Sequence, residues 1–188
     1  MLKKKILFAI LLIFNLELIN SKADEIRVIA VVNEEIITSY DLYKEVKLIE
    51  SLENRKVNNK ERINIVNKII NNRIKYLTTK DKNIKLDEKD INQKVNRIIK
   101  NSKLNDDKEV KDLIFEKVRI ETKWNKLILL KFRNKLEVNM NEIEEKITSK
   151  KTKMSKDQII NIEKMNKAAI LSKTYFNEVK QKFFIKII

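Results

Sequence analysis

The sequence has no glycine, no proline, no cysteine and no histidine. Average usage is roughly 7% glycine and 5% proline, so turns that need positive φ and abrupt helix breaks become rare, and long helices are favoured. Without cysteine there is neither a disulfide nor a thiolate. Without histidine there is no imidazole base, and the two absences together remove nearly all zinc sites. A glycine-rich phosphate loop cannot be built. Aromatic residues make up only 6% and do not interleave with a basic cluster as a base-stacking platform would.

What fills the space is lysine, asparagine and isoleucine, the pattern an AT-rich coding sequence produces. Lys and Arg number 42 against 27 Asp and Glu, a formal charge of +15 on 188 residues. Such a charge is compatible with nucleic acid, anionic lipid or acidic partners. The basic residues are nevertheless scattered among acidic ones and form no arm or block. They read as solvated helix faces, and no nucleic-acid partner is expected. The length fits one domain.

Residues 1–23 carry the pattern of a secretory signal. Lys3, Lys4 and Lys5 precede an apolar run over 6–14, and Ser21-Lys22-Ala23 places small residues for a peptidase. The run is too short to span a bilayer, which takes ~20 residues. Cleavage after Ala23, a periplasmic location and no stable membrane span are therefore expected, with the folded unit covering 24–188.

The organising stretch is 26–52. A β-branched run over 26–32 predicts a strand, Asn33, Glu34 and Glu35 a reversal, and Ile36 and Ile37 a second strand. Thr38 follows as N-cap with Asp41 at the third helical position, flanked by Ile37 and Leu42 as a hydrophobic staple. Leu42, Val46, Ile49 and Leu52 then form one helix face. After a polar connection over 53–59, Ile63, Val66, Ile70, Ile74 and Leu77 mark a second helix, widened by Ile65 and Ile69.

The same start signal recurs downstream. Leu86, Asp87, Asp90 and Ile91 open a third helix with Val95, Ile98 and Ile99 on its face. Val138, Asn139, Glu142 and Ile143 open another, and Met154, Ser155, Gln158 and Ile159 the last. Between them, the longest apolar pattern, over 110–136, predicts a helix of about 40 Å at 1.5 Å per residue. Ile128, Leu129 and Leu130 in succession make it central, contacted from several directions. The final helix carries Ile162, Met165, Ala169, Phe176 and Val179, with Ala168 and Ala169 small enough for close approach of a neighbour. The tail, 183–188, is β-prone, and an unpaired apolar strand is an aggregation hazard. Pairing with 26–32 resolves it. The expected fold is mainly α, a helical core with a small sheet formed by the N-terminal hairpin and the C-terminal strand.

Candidate chemistry is sparse. Asp106 with Asp107, and Glu144 with Glu145, are adjacent carboxylates that diverge on a helix and read as solvated charges. Trp124 and the Phe residues at helical spacing read as core. No catalytic residue, cofactor site or metal site is expected, and the protein is not expected to be an enzyme.

The run over 30–42, AVVNEEIITSYDL, resembles the start of mature SurA-like periplasmic chaperones, a hairpin leading into a helix. Residues 69–77 resemble the family's second helix, 86–91 the start of its third, and 167–188 its closing helix and strand. The resemblance implies a chaperone core made of 24–148 and 154–188. It also implies an ATP-independent holdase for unfolded outer-membrane proteins in transit through the periplasm, with the outer-membrane assembly machinery as a further partner. Two departures stand out. Only 139–156 separates the blocks between which many family members insert a parvulin prolyl-isomerase domain, and the Gly and His residues of those sites are absent. Residues 101–110 are also shorter than the family's corresponding segment. Client-contact residues are not distinguishable by sequence. The competing readings are a basic helical adaptor for anionic lipid or nucleic acid, and an inactive isomerase-family subunit.

Overall fold

The computed structural model describes residues 26–102, 104, 107–150 and 154–188, the side chains of 149 and 150 excepted. The signal-like segment 1–23 lies outside them. Among the described residues the order is β1 (Val28–Val32), β2 (Glu35–Thr38), α1 (Ser39–Glu53), α2 (Asn59–Thr79), α3 (Glu88–Ser102), α4 (Lys108–Lys131), a 3-10 turn (Arg133–Lys135), α5 (Met140–Lys150), α6 (Lys156–Lys180) and β3 (Ile185–Ile187). The fold is mainly α with one small antiparallel sheet, as expected.

The sheet has the order β2-β1-β3. Val31 lies opposite Ile36 on one side and opposite Lys186 on the other, so the two ends of the described chain meet in one ladder. With no glycine available, both positive-φ positions among the described residues are asparagines. Asn33 makes the hairpin turn at φ 53, and Asn54 ends α1 at φ 49. Asparagine is one of the few side chains that tolerate this region.

Helix starts follow side-chain capping. Thr38 and Asp41 form a reciprocal capping box, as do Ser155 and Gln158. Asp87 Oδ1 accepts from Lys89 N–H, but the Asp90 carboxylate turns to Lys94 at 2.7 Å rather than back to the cap. Asn139 Oδ1 accepts from Asn141 N–H at 3.0 Å. Two further starts are earlier than the apolar pattern implies. Asn58 and Glu61 form a full box for α2, and Asp107 caps α4 by accepting from Val110 N–H.

Three apolar clusters hold these elements together. Ala30, Val32 and Ile37 of the sheet pack on Ile70 and Ile74 of α2 and Val179 of α6. Leu48, Ile91, Val95, Val110 and Ile114 join α1, α3 and α4. Trp124, Leu127 and Ile128 of α4 meet Tyr175 and Phe176 of α6. Each fully buried large side chain here contributes about 1.5–3 kcal/mol. α4 touches α1, α2, α3 and α6 and is the central helix.

Several expectations need correction. α4 stops at Lys131, and Leu136 reaches the core from the end of the 3-10 turn instead. Leu129 and Leu130 stand in solvent although Ile128 beside them is buried. On α2, Ile63 is exposed while Ile65 is buried. On α6, Met165 is exposed, and Ala168 and Ala169 border an open cleft rather than a closely packed described helix.

Candidate functional site

That cleft is a partly apolar opening between helices. It measures about 600 Å³ and is walled by α2, α4 and α6. Its base is Ile128 from α4 and Phe176 from α6. The apolar rim is Leu129, 50% exposed, facing Met165, 71% exposed, with Ala168 and Ala169 leaving room between the walls. Helical spacing accounts for the grouping: 165, 168, 169, 172 and 176 lie on one stripe of α6.

The base is rigid. Trp124 is fully buried below it and donates its indole N–H to Ser172 Oγ at 2.9 Å. Its ring stacks on Tyr175 at 5.7 Å and meets Phe176 edge-on at 5.9 Å. Lys75 on the α2 wall pairs with Glu121 at 2.5 Å, joining α2 to α4. Lys173 and Asn125 complete a polar margin. A shallow apolar floor, mobile-tempered thioether at the lip and polar edges together fit extended apolar side chains without fixing one shape.

A second cleft, about 320 Å³, lies on the other side of α2, between α1, α2 and α4. Several of its charges are paired. Glu45 is buried and meets Lys117 at 2.6 Å, Asp41 meets Lys44 at 3.2 Å, and Arg73 meets Glu35 at 2.9 Å. The first pair joins α1 to α4, the second lies within α1, and the third ties α2 to β2.

The remaining titratable cluster also joins elements. Lys47 Nζ lies 2.8 Å from Asp107 and 2.6 Å from Glu109, and Tyr40 donates its hydroxyl to Glu109 at 3.0 Å. Hydrogen bonding to Asp107 and Glu109 raises the Lys47 ammonium above its usual value. The Lys47 ammonium in turn holds both carboxyls below theirs, and the bond to Glu109 raises the Tyr40 hydroxyl. The shifts favour the charged forms of Lys47, Asp107 and Glu109 and the neutral hydroxyl of Tyr40, the states in which these four groups bond to one another. The cluster is a clamp between α1 and the start of α4.

Of the adjacent carboxylates, Asp107 is thus a cap and an ion-pair partner, and Glu144 pairs with Lys156 at 3.0 Å. Asp106 lies outside the described residues. Among the described residues no three Asp or Glu side chains gather as a metal site, and no helix is long and apolar enough to cross a membrane. The cleft residues were not separable from core by sequence. The available signal was Met165 and Ala169 on a helix whose apolar positions outnumber what its neighbours cover.

No family model matches the chain, and no curated protein matches it.

Proposed function

We propose that this protein is an ATP-independent holdase of the SurA-like type, binding unfolded outer-membrane proteins in the periplasm. The observation that carries the reading is the open cleft between α2, α4 and α6, where Leu129 and Met165 stand exposed over the floor made by Ile128 and Phe176. Extended segments that alternate apolar and polar residues lay their apolar side chains on this floor and their polar ones toward the Lys75, Asn125 and Lys173 margin. Each large side chain removed from water contributes on the order of 1.5–3 kcal/mol before the cost of ordering the client. Weak, adaptable contacts of this kind delay aggregation and release the client without a nucleotide. The hairpin-to-helix start and the C-terminal strand that pairs with it support the same reading.

The test is light scattering by a urea-denatured outer-membrane barrel protein diluted into buffer with the purified protein at near-stoichiometric ratio. Slowed aggregation that persists at high salt is the expected result. Unchanged aggregation removes the holdase proposal, and a benefit that collapses steeply with salt favours a basic adaptor instead.

A further inference from the structure

The order β2-β1-β3 leaves two outer edges, and they are not alike. On β2, residues 36 and 38 turn their backbone groups outward, but Thr38 N–H is already held by Asp41 Oδ2 at 2.9 Å, and the chain passes directly into α1. On β3, Asn33 N–H bonds to Phe184 C=O at 2.8 Å and Ile188 N–H bonds to Ile29 C=O at 3.0 Å. These bonds fix the phase of the ladder. Residues 184, 186 and 188 bond toward β1, so Ile185 and Ile187 direct N–H and C=O away from it. No described strand lies on that side.

Natural sheets blunt such an edge with charge, proline, a bulge or a covering element. Here Phe184, Ile187 and Ile188 are 62%, 58% and 68% exposed. Residues 180–188 contain Lys180, Lys182 and Lys186 and no acidic residue. Lys186 points to one face of the strand between Phe184 and Ile188, while Ile185 and Ile187 point to the other.

We propose that the open edge of β3 takes an extended polypeptide segment as a fourth strand, one in which apolar residues alternate with Asp or Glu. This deepens the chaperone reading and rests on it for the source of the segment. An acidic side chain beside Lys186 and apolar ones beside Ile185 and Ile187 complement the three central positions of the strand. A second copy of this chain fits poorly. Two β3 strands paired antiparallel in the centred register set Lys186 against Lys186, and both copies carry +15.

Two fluorescein-labelled peptides of on the order of twelve residues, one alternating Val with Glu and one alternating Val with Lys, test this by fluorescence anisotropy. The wild-type protein is expected to bind the Glu peptide about tenfold more tightly than the Lys peptide. Ile187→Pro deletes an outward N–H without touching a bond to β1, and is expected to weaken Glu-peptide binding about tenfold with unchanged circular dichroism. Lys186→Glu should invert the preference. That inversion decides the matter if the proline variant fails to fold. Equal binding of both peptides, or a preference that Lys186→Glu leaves unchanged, overturns the proposal. A dimer in sedimentation that Ile187→Pro dissociates also overturns it, since a second copy is then the occupant. Barrel aggregation measured on the same samples separates the two readings. Suppression without peptide binding sinks the edge site alone, whereas charge-selective, Ile187→Pro-sensitive peptide binding without suppression sinks the holdase alone.

Discussion

Asn33 and Phe184, 151 positions apart, hold each other by two hydrogen bonds of 2.8 Å. Asn33 N–H donates to the Phe184 carbonyl, and Phe184 N–H donates to Asn33 Oδ1. The same asparagine makes the hairpin turn at φ 53, so it shapes one turn and fastens the tail to it.

Replacing it separates the two roles. Asn33→Ala should cost about 2 kcal/mol, roughly 1 from the lost bond and roughly 1 from forcing alanine into the left-handed region. Asn33→Gly relieves the second part and should cost about 1 kcal/mol. Urea unfolding midpoints for the two variants check this division, and equal losses would refute it.

Trp124 is the single tryptophan and supports the cleft floor from beneath. Trp124→Ala should destabilise by about 3–5 kcal/mol. Trp124→Phe keeps most of the packing but leaves Ser172 Oγ without its 2.9 Å donor, for a loss of about 1–2 kcal/mol. Thermal melts measure both. Emission from this indole, buried beside Ser172 and Phe176, should shift when a client segment occupies the cleft above it.

The first helix makes a pH prediction. Partial burial pushes the Asp41 carboxyl up, but the Thr38 N–H and hydroxyl bonds and Lys44 outweigh it and hold the carboxyl below its ordinary value. A lowered carboxyl contributes its stabilisation fully above the unfolded value, about 3.9, and loses it as pH falls through the folded value. Asp41→Ala should therefore be less stable than wild type by about 1 kcal/mol at pH 7. The gap should narrow as pH falls from about 5 toward 2. A gap that stays constant across that range would mean the charge on Asp41 is irrelevant.

Substitutions at the cleft rim should change binding and spare the fold. Leu129 and Met165 are exposed, so Leu129→Asp and Met165→Asp should each alter stability by less than about 0.5 kcal/mol. Together they should abolish suppression of barrel aggregation at the ratio where wild type is effective. Melting temperature and scattering, measured on the same sample, distinguish lost binding from lost structure.

Much of the fold was legible because helix starts are written in short-range chemistry. Thr38 with Asp41 and Ser155 with Gln158 announce their helices without any tertiary information. Asn58 with Glu61 uses the same box and escaped notice, because Arg62 stands where a staple would put an apolar residue. Pairing of the tail with β1 was legible for a different reason: an apolar strand needs a partner, and few strands were available. The end of α4 was not, since Leu136 keeps the helical spacing of its predecessors while reaching the core from a 3-10 turn. The cleft was invisible for a deeper reason. Ile128 and Leu129 are neighbours of nearly equal hydropathy, and only the placement of α2 and α6 buries one and leaves the other in water.

The middle strand of the sheet and its second partner lie about 150 residues apart in the sequence. Without residues 184–188, Ile29, Val31 and Asn33 have one flank without a ladder. The helices, whose bonds are local, are free to form first, while the final closure brings together segments about 150 residues apart and bears the corresponding loop entropy. The strand at 185–187 thus acts as a latch: removing residues 184–188 is expected to leave the locally bonded helices and to release the sheet.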